Sequence, residues 1–231
     1  MSDGRRDLSL QLYPFQHAAP ADGPAAIDRL LADVRASTLQ KARDTAELRR
    51  RIAAEYSETL VDAALAMADA FACGKKLLAF GNGGSATDAQ DAVTDCLAPP
   101  LPGWRALPAL ALVNDVGVVT GVANDVGFEN IFMRQIIAFG EPGDIAIGFT
   151  TSGGSPNVVA AFAEARRRGM LSVALAGYDG GVLASRAAVD FCLVARGEYI
   201  PRIQEGHATT WHALIELIQE ALAGAVPGTV T

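Results

Sequence analysis

The amino-acid sequence predicts an α/β fold: a three-layer sandwich built on a five-stranded parallel sheet and preceded by long N-terminal helices. Five short apolar runs alternate with segments of helical spacing from residue 75 onward. The runs are apolar almost without interruption, as in strands that are buried on both faces. Two of them end in matching turns rich in glycine and hydroxyl side chains, GNGGS and TTSGGS.

The first third of the chain is predicted to form an arm followed by a long helix. Residues 1–23 carry scattered prolines and glycines, so we expect a flexible arm there and a single domain over residues 24–231. From about residue 25 to residue 73, apolar residues recur at spacings of three and four, and Gly74 offers a stop. A helix this long with one apolar stripe indicates packing on another subunit as well as on its own domain.

The rest of the chain is predicted to form the strands of the sheet and the helices that pack on its two faces. The predicted strands are residues 75–80, 108–113, 144–149, 171–177 and 189–195. The predicted helices are residues 85–97, 117–125 with 128–140, 155–169, 180–188 and 202–222. Because crossovers between parallel strands are right-handed, the helices cover both faces, and ligands bind at the carboxyl ends of the strands.

Composition excludes several classes of function. The net charge is −7 and no basic stripe is present, which makes nucleic acid a poor partner. No apolar run approaches about 20 residues, so we expect no membrane span. The first residues do not resemble a secretion signal. The three cysteines lie in apolar stretches, as reduced core residues of a cytoplasmic protein do, and predict neither a disulfide framework nor a zinc knuckle.

The two glycine-rich loops indicate an anion site. A strand that breaks at glycines and re-enters as a helix presents free backbone N–H groups at the positive end of the helix dipole. Hydroxyls in the loops add donors, so the pair predicts a phosphorylated small molecule. The alternative is that such turns need only glycine and a capping serine. The hydroxyl residues are Ser85, Thr150, Thr151, Ser152 and Ser155.

Five segments resemble, in order and spacing, the sugar isomerase (SIS) domain family, and most of all its phosphoheptose isomerase branch. The resemblance runs from about residue 57 to residue 222. It implies the fold predicted above and an aldose–ketose isomerase that converts sedoheptulose 7-phosphate to glycero-manno-heptose 7-phosphate through an enediol. It also implies a homotetramer with active sites at subunit interfaces and no nucleotide or redox cofactor. The segments are GNGGSATDAQ, PALALVNDVGVVTGVANDVGFENIF, GDIAIGFTTSGGSPNV, ALAGYDGG and RIQEGHATTWH.

The resemblance also assigns residues. It makes Asp95 the base that forms the enediol and His212 the group that opens the ring and moves the hydroxyl proton. Some members of the family bind zinc, and the corresponding residues here are Asp91, Asp95, Gln204 and His212. The implied substrate-binding set is Asn82, Gly83, Ser85, Asp125, Thr150, Thr151, Ser152, Ser155 and Gln204.

Two of these positions depart from the family pattern. Position 91 is Asp where the family has His, and position 95 is Asp where the family has Glu. A set with two carboxylates and an amide is richer in oxygen, which loosens the preference for zinc over manganese or magnesium. The shorter base loses one carbon–carbon bond, roughly 1.5 Å. The alternative for this helix is that Asp88, Asp91 and Asp95 form a solvated acidic face.

Other residues qualify the prediction. We expect His207 to be structural, His17 to have no role and Trp211 to pack at a helix or subunit contact. The segment RGEYI, residues 196–200, departs from the family text near the substrate. The sequence therefore leaves open an isomerase for a different phosphosugar in a specialised pathway. A non-catalytic sugar-phosphate sensor or adaptor is the third alternative, against which the retention of Gln204 and His212 argues.

Overall fold

The strands form one five-stranded parallel sheet, as the sequence predicts. The computed structural model describes residues 24–185 and 188–224. The strands lie in the order β2-β1-β3-β4-β5, and all neighbouring pairs are parallel. Their bounds are β1 Leu77–Gly81, β2 Ala109–Ala111, β3 Ile145–Thr150, β4 Leu171–Gly177 and β5 Phe191–Ala195.

Within the described residues, six α-helices and two short 3₁₀ helices accompany these strands. The helix predicted at residues 180–188 is shorter over its described part: a 3₁₀ helix covers Gly181–Ala184, and the backbone at Ser185 is already extended. The two glycines that begin this segment both have positive φ, which suits a turn and not a helix start. The α-helices are α1 Pro24–Ala72, α2 Gly84–Leu97, α3 Val116–Asp125, α4 Ile131–Phe139, α5 Pro156–Arg167 and α6 Ile200–Leu222; the other 3₁₀ helix is Phe128–Asn130.

The chain divides into two units, residues 1–43 and 44–231. In the first unit the structure describes the beginning of α1, which exposes apolar side chains at spacings of three and four. The arm predicted at residues 1–23 lies outside the described residues. The exposed side chains are Ile27, Leu30, Leu31 and Val34.

The two larger apolar cores of the second unit lie one on each face of the sheet. Alternation along β1 shows the division, because Leu77 and Ala79 enter one core while Leu78 and Phe80 enter the other. The first core is completed by α2, α6 and the part of α1 that belongs to this unit. The second core is completed by α3, α4 and α5. This is the three-layer sandwich that the apolar strands predict.

The strand order reverses between β1 and β3, and this reversal positions the site. The helix that follows β1, α2, lies on the first face, whereas the helix that follows β3, α5, lies on the second. A crevice therefore opens at the carboxyl ends of β1 and β3, which is where open α/β sheets bind ligands.

Two of the three cysteines, Cys96 and Cys192, have the low reactivity expected of core thiols. Burial raises the pKa of the Cys96 thiol to about 12 and that of Cys192 to about 11, as expected for unreactive core thiols. The expectation of a core position is wrong for Cys73, which is exposed in the turn that follows α1. All three are free thiols.

Glu164 on α5 gives a pH-dependent contribution to stability. Its buried carboxylate accepts hydrogen bonds from Arg167 at 2.6 and 2.7 Å and from Arg168 at 2.6 Å. These bonds, those of Arg167 first, hold the pKa of the carboxyl at about 2. Because the pKa is lowered on folding, this stabilisation is complete above the ordinary value of 4.5 and is lost as pH falls toward 2. Urea unfolding between pH 7 and pH 2 should show the wild type and Glu164→Gln converging below pH 4.5; a constant difference would contradict this.

Candidate functional site

The GNGGS loop joins the end of β1 to the start of α2. Gly83 has a φ of +57°, which favours glycine, and the buried Ser85 donates its N–H to the carbonyl of Asn82 at 3.0 Å. A Cβ at Gly81 would lie 2.4 Å from the carbonyl oxygen of Ser85 and 2.8 Å from that of Phe149. Glycine is therefore needed here for the first turn of α2 and the end of β3 to approach β1.

The TTSGGS loop joins β3 to α5 and gathers three hydroxyl groups. The Ser155 Oγ lies 3.4 Å from the Thr150 Oγ1 and 3.5 Å from the Ser152 Oγ. The backbone N–H groups of Gly153 and Gly154 donate to Thr150 and Ser152, each at 3.2 Å. Ser155 precedes α5 but makes no capping hydrogen bond with its side chain, so its hydroxyl stays with the cluster.

A pair of amides ties the two loops together. The side chains of Asn82 and Asn157 exchange two hydrogen bonds, at 2.9 and 2.8 Å, and the Asn157 Oδ1 also accepts the N–H of Val158 at 3.0 Å. The N-terminal ends of α2 and α5 therefore face one crevice, as an anion site requires. Asn157 was missed in the sequence, because an asparagine in the first turn of a helix has meaning only when the neighbouring loop is known.

Two further contacts join α2 to α6 side by side. A Cβ at Gly84 would lie 2.0 Å from the Gln204 Nε2, so glycine makes room for this amide. One turn further on, the Asp88 Oδ2 lies 3.9 Å from the Nδ1 of the buried His207, whose Nε2 donates to the carbonyl of Ala176 at 2.9 Å. The Asp88 Oδ2 and the His207 Nδ1 are buried without another partner in the described part of the chain. His207 is buried, and the structural role expected for it stays a prediction.

The residues to which the resemblance assigns the chemistry lie further along the same helices. The Asp95 Oδ2 is 3.9 Å from the His212 Nε2 and accepts a hydrogen bond from the Trp211 Nε1 at 2.9 Å. The side chain of His212 is 64% exposed and that of Asp95 23%. Asp91 is exposed, so the solvated reading of this helix applies to Asp91, whereas Asp88 and Asp95 face α6.

The four residues assigned to a metal do not close around an ion within one chain. Two ligands of a tetrahedral zinc lie roughly 3.4 Å apart, so the separation of Asp95 and His212 is compatible with a shared ion. Asp91, however, points to solvent, and the residues that the structure describes contain no group of three or more His, Cys, Asp or Glu able to hold a metal. We therefore assign no catalytic step to a metal, and the ligand assignment stays a prediction.

Asp125 is the predicted sugar-pocket residue that stands apart. It lies at the exposed end of α3, where its Oδ1 accepts a hydrogen bond from Asn124 at 2.8 Å. Among the described residues, no hydrogen bond or ion pair joins it to either loop. Its role in binding sugar stays a prediction.

A cavity of about 760 Å³ opens at the carboxyl ends of β4 and β5. Tyr178, which follows β4, has a φ of +50°, an unusual conformation for an aromatic residue. Close contacts of Gly180 and Gly181 with Gly153 connect this region to the TTSGGS loop. The cavity includes part of the RGEYI segment and is lined by Arg51, Tyr178, Asp179, Arg196, Gly197, Glu198 and Tyr199.

The fold and the two loops define a protein class, that of the SIS domain. The sequence model of this domain family matches residues 42–177. The match includes the strands β1 to β4 and both loops of the crevice.

The chain belongs to the phosphoheptose isomerases of the SIS family. It is 43% identical over 173 residues to the phosphoheptose isomerase of Geotalea daltonii, covering 75% of this chain and 89% of that protein. It is 41% identical over 178 residues to that of Aquifex aeolicus, covering 77% and 92%. The structure of the phosphoheptose isomerase from Neisseria gonorrhoeae superposes with a TM-score of 0.71 at 34% identity, covering 82% of this chain and 98% of the other.

Across residues 24–185 and 188–224, each helix is too short or too polar to cross a membrane.

Proposed function

We propose that this chain is an aldose–ketose isomerase that converts sedoheptulose 7-phosphate to glycero-manno-heptose 7-phosphate. The observation that carries the proposal is the pair formed by Asp95 and His212, 3.9 Å apart, on helices that also reach the loop crevice. The relatives named phosphoheptose isomerase support the same assignment. Ser85, Thr150, Ser152 and Ser155 would bind the phosphate, with Thr151 nearby.

The reaction follows from the chemistry of the pair. Asp95 removes the proton from the carbon next to the carbonyl, an enediol forms, and the proton returns to the neighbouring carbon. His212, exposed beside Asp95, moves the hydroxyl proton and assists ring opening. Gln204, packed on the first turn of α2, offers an amide to a sugar hydroxyl between the phosphate and the reacting carbons.

The spacing of the site agrees with a long substrate in its open form. Ser85 and Asp95 are ten residues apart on one helix, which places their backbones about 15 Å from each other. A phosphate at the loops and a carbonyl at Asp95 therefore lie at opposite ends of the sugar. An extended seven-carbon chain with a terminal phosphate spans roughly 10 Å, and the side chains cover the remainder.

The proposal is tested by mixing the purified protein with sedoheptulose 7-phosphate and following the aldose product by NMR. We expect conversion to an equilibrium mixture. The same assay with added zinc or manganese, and after treatment with EDTA, tests the assignment of Asp91, Asp95, Gln204 and His212 as metal ligands. No product under any of these conditions would overturn the proposed function.

The second candidate is an isomerase for a different phosphosugar, and the cavity near RGEYI favours it. Arg196, Glu198 and Tyr199 replace the smaller residues of the family text and line this space with Tyr178. A thermal-shift panel of sugar phosphates distinguishes the candidates, since the true substrate should raise the Tm most. A non-catalytic binder is disfavoured by the adjacent Asp95 and His212.

We also propose a homotetramer with interfacial active sites, located in the cytoplasm, in which a single SIS domain begins at residue 24. The exposed apolar residues at the start of α1 support an association between chains. Light scattering coupled to size-exclusion chromatography tests this, and a monomer at micromolar concentration would contradict it.

A further inference from the structure

Trp211 lies on the buried side of Asp95 and donates its indole N–H to that carboxylate. The Nε1 to Oδ2 distance is 2.9 Å, and Trp211 is 2% exposed. An indole N–H can only donate, so the Asp95 Oδ2 acts as an acceptor at this contact. We propose that Trp211 is a positioning residue that orients the carboxylate of Asp95 for proton abstraction. This inference rests on the function proposed above.

The two oxygens of Asp95 have different surroundings. Oδ2 meets Trp211 at 2.9 Å and lies 3.9 Å from the His212 Nε2. Oδ1 makes no hydrogen bond within residues 24–185 and 188–224 and is not among the fully buried polar atoms, in a side chain that is 23% exposed. Successive residues on a helix point about 100° apart, so Trp211 and His212 approach the carboxylate from two sides. One oxygen is therefore anchored, and the other is available to the substrate proton.

The anchor itself cannot move freely. Trp211 belongs to the core cluster that also contains Leu214, Ile215 and Cys96. A ring enclosed in a packed core keeps a single rotamer, so its N–H is a donor at a fixed position. A hydrogen bond to an ionised carboxylate is about twice as strong as one between neutral groups. The contact therefore selects one orientation of a side chain that is otherwise partly exposed.

The contact also suits the length of the base. Asp is one methylene shorter than the Glu expected at this position, so its carboxylate lies closer to α2 by roughly 1.5 Å. The indole N–H reaches the carboxylate there at the distance typical of a charge-assisted hydrogen bond. Asp95 and Trp211 thus fit each other as a pair, and a longer Glu side chain would carry its carboxylate past this donor.

The first test compares Trp211→Phe with Trp104→Phe, a matched change at the other tryptophan. Phe keeps an aromatic ring in the core and removes the N–H. We expect Trp211→Phe to lower kcat by roughly 10- to 100-fold, with KM changed less than about twofold, because a base displaced by about 1 Å loses rate of that order. Trp104→Phe should change neither. A wild-type kcat in Trp211→Phe would overturn the proposal and leave Trp211 a packing residue.

The second test repeats Trp211→Phe in an Asp95→Glu background. If the indole acts through the short carboxylate, its loss should cost less than about threefold in kcat once the base is longer. A merely structural role would reduce kcat by the same factor in both backgrounds, and that result would overturn the proposal.

The third test detects the hydrogen bond between Trp211 and Asp95 by fluorescence, without an activity assay. The chain has two tryptophans, so Trp104→Phe leaves Trp211 as the single tryptophan, and the tryptophan emission then comes from Trp211 alone. Adding Asp95→Asn removes the charged acceptor and should change the Trp211 emission, whereas Asp62→Asn, an exposed position on α1, should not. Unchanged emission on Asp95→Asn would overturn the contact. A wild type that converts no sedoheptulose 7-phosphate would overturn the proposed function and this inference together, whereas an active wild type with an unaffected Trp211→Phe overturns the inference alone.

Discussion

Asp95→Asn is expected to lower kcat for isomerisation by roughly 10² to 10⁴-fold, the contribution that a positioned general base makes. The substitution preserves shape but removes the group that takes the proton. Because the phosphate loops are untouched, KM should change little. Steady-state kinetics with sedoheptulose 7-phosphate measures both parameters, and Asp62→Asn is the matched control because Asp62 is exposed on α1.

Incorporation of deuterium from solvent tests directly whether Asp95 removes the proton. The wild type in D₂O should incorporate deuterium into the sugar at the carbon that receives the proton, since the proton held by the Asp95 carboxyl exchanges with solvent before a proton is returned. Asp95→Asn should show no such exchange above the background. Activity within fivefold of the wild type would assign the base to another residue.

Gly153→Ala is expected to reduce the free energy of unfolding by about 2 to 4 kcal/mol. Gly153 has a φ of +62°, and a Cβ there would lie 2.0 Å from the carbonyl oxygen of Gly180. Backbone strain and steric overlap therefore act together, and the Tm should fall by roughly 5 to 15 °C. Because the TTSGGS loop must shift to relieve the overlap, KM for the sugar phosphate should rise as well.

Gly154→Ala is the control for this prediction. The neighbouring glycine has no positive φ, and a Cβ there would meet only the carbonyl oxygen of Ser152 at 3.9 Å, an ordinary contact. Differential scanning calorimetry and substrate titration on both variants separate the effect of position 153 from that of any added methyl group. Equal losses of stability would contradict the account given for Gly153.

Much of the fold could be predicted because its signals are local. The strand predicted at residues 144–149 differs from β3 by only one residue at each end. The prediction is close because a parallel strand that is buried on both faces consists of an uninterrupted run of apolar residues. The crevice followed from the glycines and hydroxyls of two loops. Asp95 and His212 came from the family resemblance, and the structure brings them together.

What could not be predicted depends on contacts between distant segments. The amide pair of Asn82 and Asn157 needs β1 and β3 to be neighbours, which no local pattern encodes. The bond from Trp211 to Asp95 requires knowledge of which faces of α2 and α6 meet. The composition of residues 180–188 suits a helix, but Gly180 and Gly181 have positive φ, and the described residues contain a 3₁₀ helix at Gly181–Ala184 instead.

Both ends of the proposed site lie on α2, so the length of this helix sets the distance between them. Its first turn follows the GNGGS loop, and Asp95 lies near its far end. Inserting one residue between them would advance the base by about 1.5 Å but also swing it about 100° away from His212. Only steps close to a whole turn, about 5.4 Å, would keep the base on the correct face. Finer changes in the distance between the GNGGS loop and the carboxylate at position 95 would therefore require an exchange of side chains.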